Sequence, residues 1–340
     1  MLLCLLKLCL LQLEKVDRID GVMSKINLVA GGAGFIGSHL CKELLEKGNR
    51  VICLDDLSTG NKRNIKPFLG SDKFIFKQGD VTDLNIFQYL DRFAIKEIYH
   101  LASPAEVTYF VKHPVDAAEA NSIGTKNLLK LALEKNAKFL FASSSEVYGN
   151  PKEHPQKETY WGNVNPVGVR SSYDEGKRFG EALTMGYHRQ YNVNVKIVRI
   201  FNTYGTNSSP KDTRVIPQFL MQALLGKPLT VHGDGTQTRS LCFASDLVEG
   251  IILAMESQET GPFNLGNPEE YRVIDIANKI IFATKSTSSI TFVKRLKDDP
   301  ARRKPDISFA VKVLKWSPKV SFSQGLEKTI KYFRRIIREY

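Results

Sequence analysis

The 340-residue chain contains only five cysteines, Cys4, Cys9, Cys41, Cys53 and Cys242. An odd number without CxxC spacing indicates neither a disulfide framework nor a cysteine zinc site, and it is the usage of a reducing cytosol. A run long enough to cross a bilayer, about 20 residues, is also missing. Met1–Leu13 is apolar but short, and Lys7 interrupts it. That stretch lacks a basic leader and a small-residue cleavage site, so it does not read as a signal peptide. Internal repeats and low-complexity tracts are absent. His232 has no second ligand at useful spacing, and no metal is expected. Acid is the scarce charge, 36 Asp and Glu against 48 Lys and Arg, for a formal net charge of +12. The basic residues are spread out and thicken only at Lys328, Lys331, Arg334, Arg335 and Arg338. That is the pattern of a solvated helix face, so neither a nucleic acid nor a membrane is an expected partner. An anionic small molecule fits the excess as well.

What remains is a globular composition, 42% apolar and 25% charged, at a length that suits one large domain or two modest ones. Residues 1–22 are expected to be an appendage outside the fold, with Met23 a possible start. Residues 23–200 are expected to form a nucleotide-binding domain. Residues 201–340 are expected to form a smaller α/β substrate lobe with segments returning to the first.

The chain in order supports this division. An apolar strand over 25–30 runs into Gly31-Gly32-Ala33-Gly34-Phe35-Ile36-Gly37 and then a helix over 38–47. Gly31 permits a tight turn, Gly34 lets the backbone approach a pyrophosphate, and Gly37 lets helix pack on strand. The helix N-terminus then offers N–H groups and a positive dipole end to phosphates. A second strand, 51–54, ends on Asp55, where a carboxylate can accept both ribose hydroxyls and repel the extra phosphate of NADP, so the expected cofactor is NAD. The other reading of Asp55 is a turn or helix-cap aspartate. Strands over 73–77, 97–101, 138–143 and 194–200 alternate with helical stretches such as 123–134, the pattern of a doubly wound parallel sheet of Rossmann type. Ligands lie off the carboxyl ends of such strands, which directs attention to Asp80-Val81, Leu101-Ala102 and Ser143-Ser144-Ser145-Glu146.

Tyr173 and Lys177 stand four residues apart, one turn along a helix whose N-cap region is expected at Ser172. A phenol with an ordinary pKa near 10 is a poor base at neutral pH, and a neighbouring ammonium favours the phenolate. The pair is therefore a candidate to take a proton from a sugar or alcohol hydroxyl.

Together Gly31–Gly37, Asp55, Asp80-Val81, His100-Leu101-Ala102, Asn121, Ser144, Tyr173 and Lys177 resemble the extended short-chain dehydrogenase/reductases that act on nucleotide sugars. The likeness runs from about 26 to 333. Within that family, the runs Ser145–Gly149, Tyr160-Trp161-Gly162, Asn165-Pro166, Arg170 with Tyr173–Arg178, Arg199–Gly205, Leu265–Glu270 and Asp298–Pro300 through Arg303–Asp306 are similar to the branch that decarboxylates UDP-glucuronate. Two departures are visible: Ala30 stands where the family usually has Thr, and Glu106–Val111 differs from the usual run near the sugar. The resemblance implies Tyr173 as general base, assisted by Lys177 and Ser144, with Glu146 near C5 and C6 in a catalytic role. It implies Gly31, Gly34, Phe35, Ile36, Gly37, Asp55, Asp80, Val81, Leu101, Ala102, Tyr173 and Lys177 as the NAD site. Arg303 is implied at the glucuronyl carboxylate, and Ser145, Asn202, Arg214, Val231, His232, Gly233 and Arg239 at the rest of UDP-glucuronate. It further implies a homodimer, in the cytoplasm that the cysteine usage already suggests. The alternatives are a 4-epimerase or 4,6-dehydratase of the same fold, and a non-catalytic NAD-binding sensor.

Overall fold

The computed structural model describes Arg18–Ile19, Val22–Met23 and residues 25–295 and 299–338. Of the expected appendage, Arg18–Ile19 pairs antiparallel with Val22–Met23. The rest of it lies outside the described residues, as does Asp298 of the late motif.

Seven parallel strands form the central sheet: β1 (Ile26–Ala30), β2 (Arg50–Asp55), β3 (Phe74–Gln78), β4 (Ile95–His100), β5 (Lys138–Ser144), β6 (Val195–Ile200) and β8 (Phe263–Leu265). Strand β7 (Leu229–His232) lies outside it. The order is β8-β6-β5-β4-β1-β2-β3. Successive side chains of one strand serve opposite faces: Leu28 joins one buried cluster and Val29 the other. Both faces are covered, so the strands are apolar almost throughout rather than alternating.

Helices α1 (Phe35–Glu46) and α7 (Ala244–Glu256) cover one face with Leu40, Leu44, Leu247 and Ile251. The other face carries α4 (Thr125–Lys135), through Leu128 and Leu131, and α5 (Ser171–Tyr191). Between α3 (Pro114–Glu119) and α4 the chain makes a π turn at Ala120–Gly124, so the regular helix starts later than its sequence pattern suggests. A short α2 (Val107–Lys112) precedes α3.

A second core packs α6 (Val215–Leu224), β7, α8 (Val273–Thr284) and α9 (Phe322–Ile337), with Phe219, Val231, Ile276, Ile280, Ile330 and Phe333 inside. Strand β9 (Ile290–Val293) pairs in parallel with β7. A capping box between Ser321 and Gln324 starts α9, satisfying N–H groups that have no partner within the helix. Lys328, Lys331, Arg334 and Arg335 occupy its exposed face, and Arg338 follows at its C-cap. Among the described residues no helix is long and apolar enough to cross a membrane.

The strand order reverses direction between β1 and β4. In an open parallel sheet this leaves a crevice beyond the strand ends, and the site is there.

Candidate active site

A cavity of about 1140 Å³ opens over the carboxyl ends of β1, β2, β4, β5 and β6 and runs under the second lobe. Its floor at one end is the glycine turn. Gly31 has φ +82°, and a Cβ there would lie 2.7 Å from the backbone of Leu101 and Ala102. At Gly37 a Cβ would come within 2.0 Å of the Gly31 carbonyl oxygen. Both contacts are with backbone, so only glycine allows α1 to start this close to β1 and β4. The helix starts at Phe35, three residues before the sequence pattern places it, and no side chain caps it. Its first N–H groups are therefore left for a ligand.

Asp55 sits at the end of β2 and is nearly buried. Its Oδ2 accepts from the Ala33 N–H at 2.9 Å and its Oδ1 from the Leu57 N–H at 2.8 Å. Burial pushes its carboxyl up, while the Leu57 and Ala33 N–H groups oppose that. Each oxygen keeps a second lone pair for a diol. Phe35, Ile36, Asp80, Val81, Leu101 and Ala102 line the same end. A glycine cradle that a Cβ would fill, an uncapped helix start and an anchored carboxylate fit an adenine dinucleotide.

At the other end stands α5. It is tied to the sheet by Glu181, which accepts two bonds from Arg199 on β6, at 2.9 and 2.7 Å, and one from Ser143 at 2.6 Å. Gly180 lets it approach, since a Cβ would meet the Phe141 ring at 2.3 Å. The helix begins at Ser171 after Arg170, without a side-chain cap, so Ser172 lies inside the first turn instead of capping it. Tyr173 and Lys177 project from one face into the cavity, both nearly buried.

The electrostatics differ from the simple Tyr–Lys pair. Burial pushes the Tyr173 phenol up to about 12, although a Ser144 hydrogen bond draws it down. Lys177 donates to the Ala142 carbonyl at 2.7 Å, and burial lowers its ammonium to about 7 against the opposing charge of Glu181. An ammonium this depleted does little to hold a phenolate. Phe110 of α2 stacks on the Tyr173 ring at 4.9 Å with the planes 10° apart.

Glu146 follows β5 in a short 3-10 turn, with its N–H donating to Ser144 Oγ at 3.2 Å. Two guanidiniums donate to its Oε2, that of Arg170 at 2.7 Å and that of Arg303 at 3.1 Å. Burial pushes this carboxyl up, but Arg303 and Arg170 outweigh it and hold the group down at about 2. Arg303 also donates to the Ser145 carbonyl and is 1% exposed. In this form it therefore faces Glu146 rather than open cavity. Nearby, one terminal nitrogen of Arg239 donates to both carboxylate oxygens of Asp299, at 2.8 and 2.9 Å.

Ser145, Asn202, Arg214 and His232 line the cavity with these groups. Arg214 is paired with Asp212. Val231 is fully buried in the second core, and Gly233 turns beside Arg295 with φ +70°; neither lines the cavity. Arg170, Asp174 and Phe110 were not among the site residues expected from sequence. Arg170 carries a signal, since it stands one helical turn before Tyr173; Phe110 lies in the Glu106–Val111 run expected near the sugar, but nothing in that run marks it out. Among the described residues no group of three His, Cys, Asp or Glu could hold a metal ion.

The family model described as GDP-mannose 4,6 dehydratase matches residues 28–329. UDP-glucuronic acid decarboxylase 2 of Arabidopsis thaliana is 46% identical over 333 residues, covering 95% of this chain and 74% of the relative. UDP-glucuronic acid decarboxylase 1 of Danio rerio is 45% identical, covering 91% of this chain and 72% of the relative. Among solved structures, UDP-glucuronic acid 4-epimerase from Bacillus cereus, in complex with UDP-glucuronic acid and NAD, superposes with a TM-score of 0.83 at 30% identity, covering 92% of this chain and 99% of that one. The glycine cradle, the Ser144–Tyr173–Lys177 group and these likenesses agree, and the chain belongs to the extended short-chain dehydrogenase/reductase family, in the group that includes the UDP-glucuronic acid decarboxylases.

Proposed function

We propose that this protein is an NAD-dependent UDP-glucuronate decarboxylase that forms UDP-xylose. The observation that carries the reading is the charge around Glu146. Two guanidiniums share one carboxylate, while Arg239 is neutralised separately by Asp299. Asp174, 3.9 Å from Arg170, is pushed towards its protonated form by burial and by the charge of Glu146, so one positive charge is in excess beside Tyr173, which suits a sugar that brings its own carboxylate.

In this reading Tyr173 takes the proton of the 4-hydroxyl as C4 is oxidised, and Ser144 orients the same oxygen. NAD, held by Gly31–Gly37 and Asp55, would supply reversible hydride acceptance at C4 and positive charge beside a phenol that otherwise stays protonated, and Tyr173 would give its proton back to O4 at the end. The ketone at C4 is β to the C6 carboxylate. When the C5–C6 bond breaks, carbon dioxide leaves and the electron pair passes to the ketone oxygen as an enolate. Ser144 and Tyr173 donate to that oxygen as its charge grows. Glu146, ionised by its two arginines, orders the water that protonates C5. Ionised, it also disfavours the C6 carboxylate more than neutral carbon dioxide. Arg303 holds the substrate carboxylate until it leaves, and Asn202, Arg214, Arg239 and His232 hold the nucleotide diphosphate.

Incubating the protein with UDP-glucuronate and NAD tests the reading. Carbon dioxide and UDP-xylose are expected. UDP-galacturonate without carbon dioxide identifies a 4-epimerase instead.

The same reading includes a homodimer and a cytoplasmic setting. The exposed Val115 on α3, Ile123 in the following turn and Phe179 on the neighbouring α5 support a subunit contact there, and light scattering measures it. Cys41, Cys53 and Cys242 are buried free thiols, which supports a reducing compartment; cell fractionation tests that.

A further inference from the structure

Arg170 entered the chemistry above only as one of the two counter-ions of Glu146, yet it also joins that carboxylate to the helix turn that carries Tyr173. Its guanidinium makes the shorter of the two bonds to Glu146 Oε2. Both bonds use the same oxygen, which leaves Oε1 as the one available to water or substrate. Its carbonyl accepts from the N–H groups of Tyr173 and Asp174, each at 3.1 Å, so its backbone begins the helix turn that carries the phenol. Its guanidinium also lies 5.4 Å from the centre of the Phe110 ring, whose plane stacks on Tyr173. One side chain therefore joins the carboxylate after β5, the ring over the base and the start of α5.

The surroundings leave it little else to bind. Arg170 is 8% exposed, and its Nε has no hydrogen-bond partner. The other carboxylate in reach is Asp174, with Oδ2 at 3.9 Å from Nε and Oδ1 unpartnered. Burial and the charge of Glu146 push the Asp174 carboxyl up towards its protonated form, which weakens its competition for the guanidinium. Arg303, in contrast, comes from the far lobe and has the substrate carboxylate as a second call on it. Once it turns to that carboxylate, Glu146 keeps a single counter-ion.

We propose that Arg170 is a positioning residue for the decarboxylation: it keeps Glu146 ionised and fixed relative to Tyr173 while Arg303 serves the substrate. This rests on the activity proposed above. Its guanidinium is engaged by Glu146, so its loss is expected to fall on turnover rather than on substrate binding.

The test is steady-state kinetics of the full chain with saturating NAD and varied UDP-glucuronate from pH 5 to 9, for wild type, Arg170→Gln, Arg170→Lys, Glu146→Gln and the double variant Glu146→Gln/Arg170→Gln. The general acid–base contribution of one side chain sets the scale at about 100-fold or more. For Arg170→Gln, kcat is expected to fall about 100-fold with KM within about threefold, and the acidic limb of kcat to move up by about one pH unit or more. Arg170→Lys is expected to return that limb towards wild type and recover about tenfold in kcat. The double variant is expected to be little slower than Glu146→Gln alone, because the two residues act as one unit. Additive losses, an unmoved acidic limb, or a rise in KM that matches the fall in kcat overturns the role while leaving the activity standing. The double variant and Arg170→Lys give the answer if Arg170→Gln fails to fold. A wild type that leaves UDP-glucuronate intact overturns the activity, and this role with it.

Discussion

Replacing Glu146 by Gln tests the charge balance of the site without turnover. Gln keeps the shape and one acceptor but removes the negative charge between two guanidiniums whose side chains are 9% and 1% exposed. The carboxyl, ordinarily at 4.5, is held at about 2, a depression that converts to about 3 kcal/mol. Breaking a buried pair costs about 3–5 kcal/mol, and a cavity that admits water favours the low end. With an unfolding entropy of about 2.1 cal/mol/K per residue, a loss of about 3 kcal/mol lowers Tm by roughly 4 °C in a chain of 340 residues. The sign with pH follows from the direction of the shift. A depressed carboxyl stabilises the fold above its unfolded value, and that stability is lost as pH falls towards about 2. The gap between wild type and Glu146→Gln should therefore be full at pH 7 and narrow below about pH 4.5. Calorimetry and urea titration across that range measure it. In NAD-free protein UDP-glucuronate should raise the Tm of the variant more than UDP-glucose does, since the sugar carboxylate replaces the missing charge. Equal stability at pH 7, or a gap that ignores pH, refutes the reasoning.

Two further outcomes are expected. In NAD-free protein, ultraviolet difference titration of wild type against Tyr173→Phe should show no additional tyrosinate below pH 10, because burial holds the phenol at about 12; a group titrating near 8 that the variant lacks contradicts this. Gly37→Ala brings a Cβ to 2.0 Å from the Gly31 carbonyl oxygen. Such overpacking costs about 1–3 kcal/mol, and calorimetric titration should show NAD affinity lowered at least about tenfold.

The parts of this molecule that were legible in the sequence are those fixed by short-range geometry. Glycines at 31, 34 and 37 imply a tight turn with a helix behind it, and spacing alone puts Tyr173 and Lys177 on one face. Where a cap or a distant strand decides, the pattern was silent. Helix α5 starts at Ser171 because Arg170 is already in helical conformation and receives the N–H groups of Tyr173 and Asp174, so the serine beside it had no capping to do. Strand β8 joins β6 in parallel after some sixty residues of other structure, and no local pattern in Phe263–Leu265 reports that pairing.

Burial was the least legible quantity, and it determines the chemistry of the site. Read in sequence, Lys177 is an ammonium that lowers a phenol. Once buried against the Ala142 carbonyl it loses much of its charge at neutral pH, and Tyr173 rises instead of falling. Arg302-Arg303-Lys304 reads as a charged run, yet Arg303 is 1% exposed and directed at Glu146, while Arg302 is exposed. Both differences have one origin: desolvation penalises any isolated charge, so each buried ion persists only with a partner. Arg170, Arg303 and Glu146 satisfy that condition jointly, and Tyr173 and Asp174 meet it by keeping their protons. The ligand-free site is therefore arranged for an incoming anion, because a carboxylate placed beside the two arginines removes a surplus that Glu146 alone does not balance.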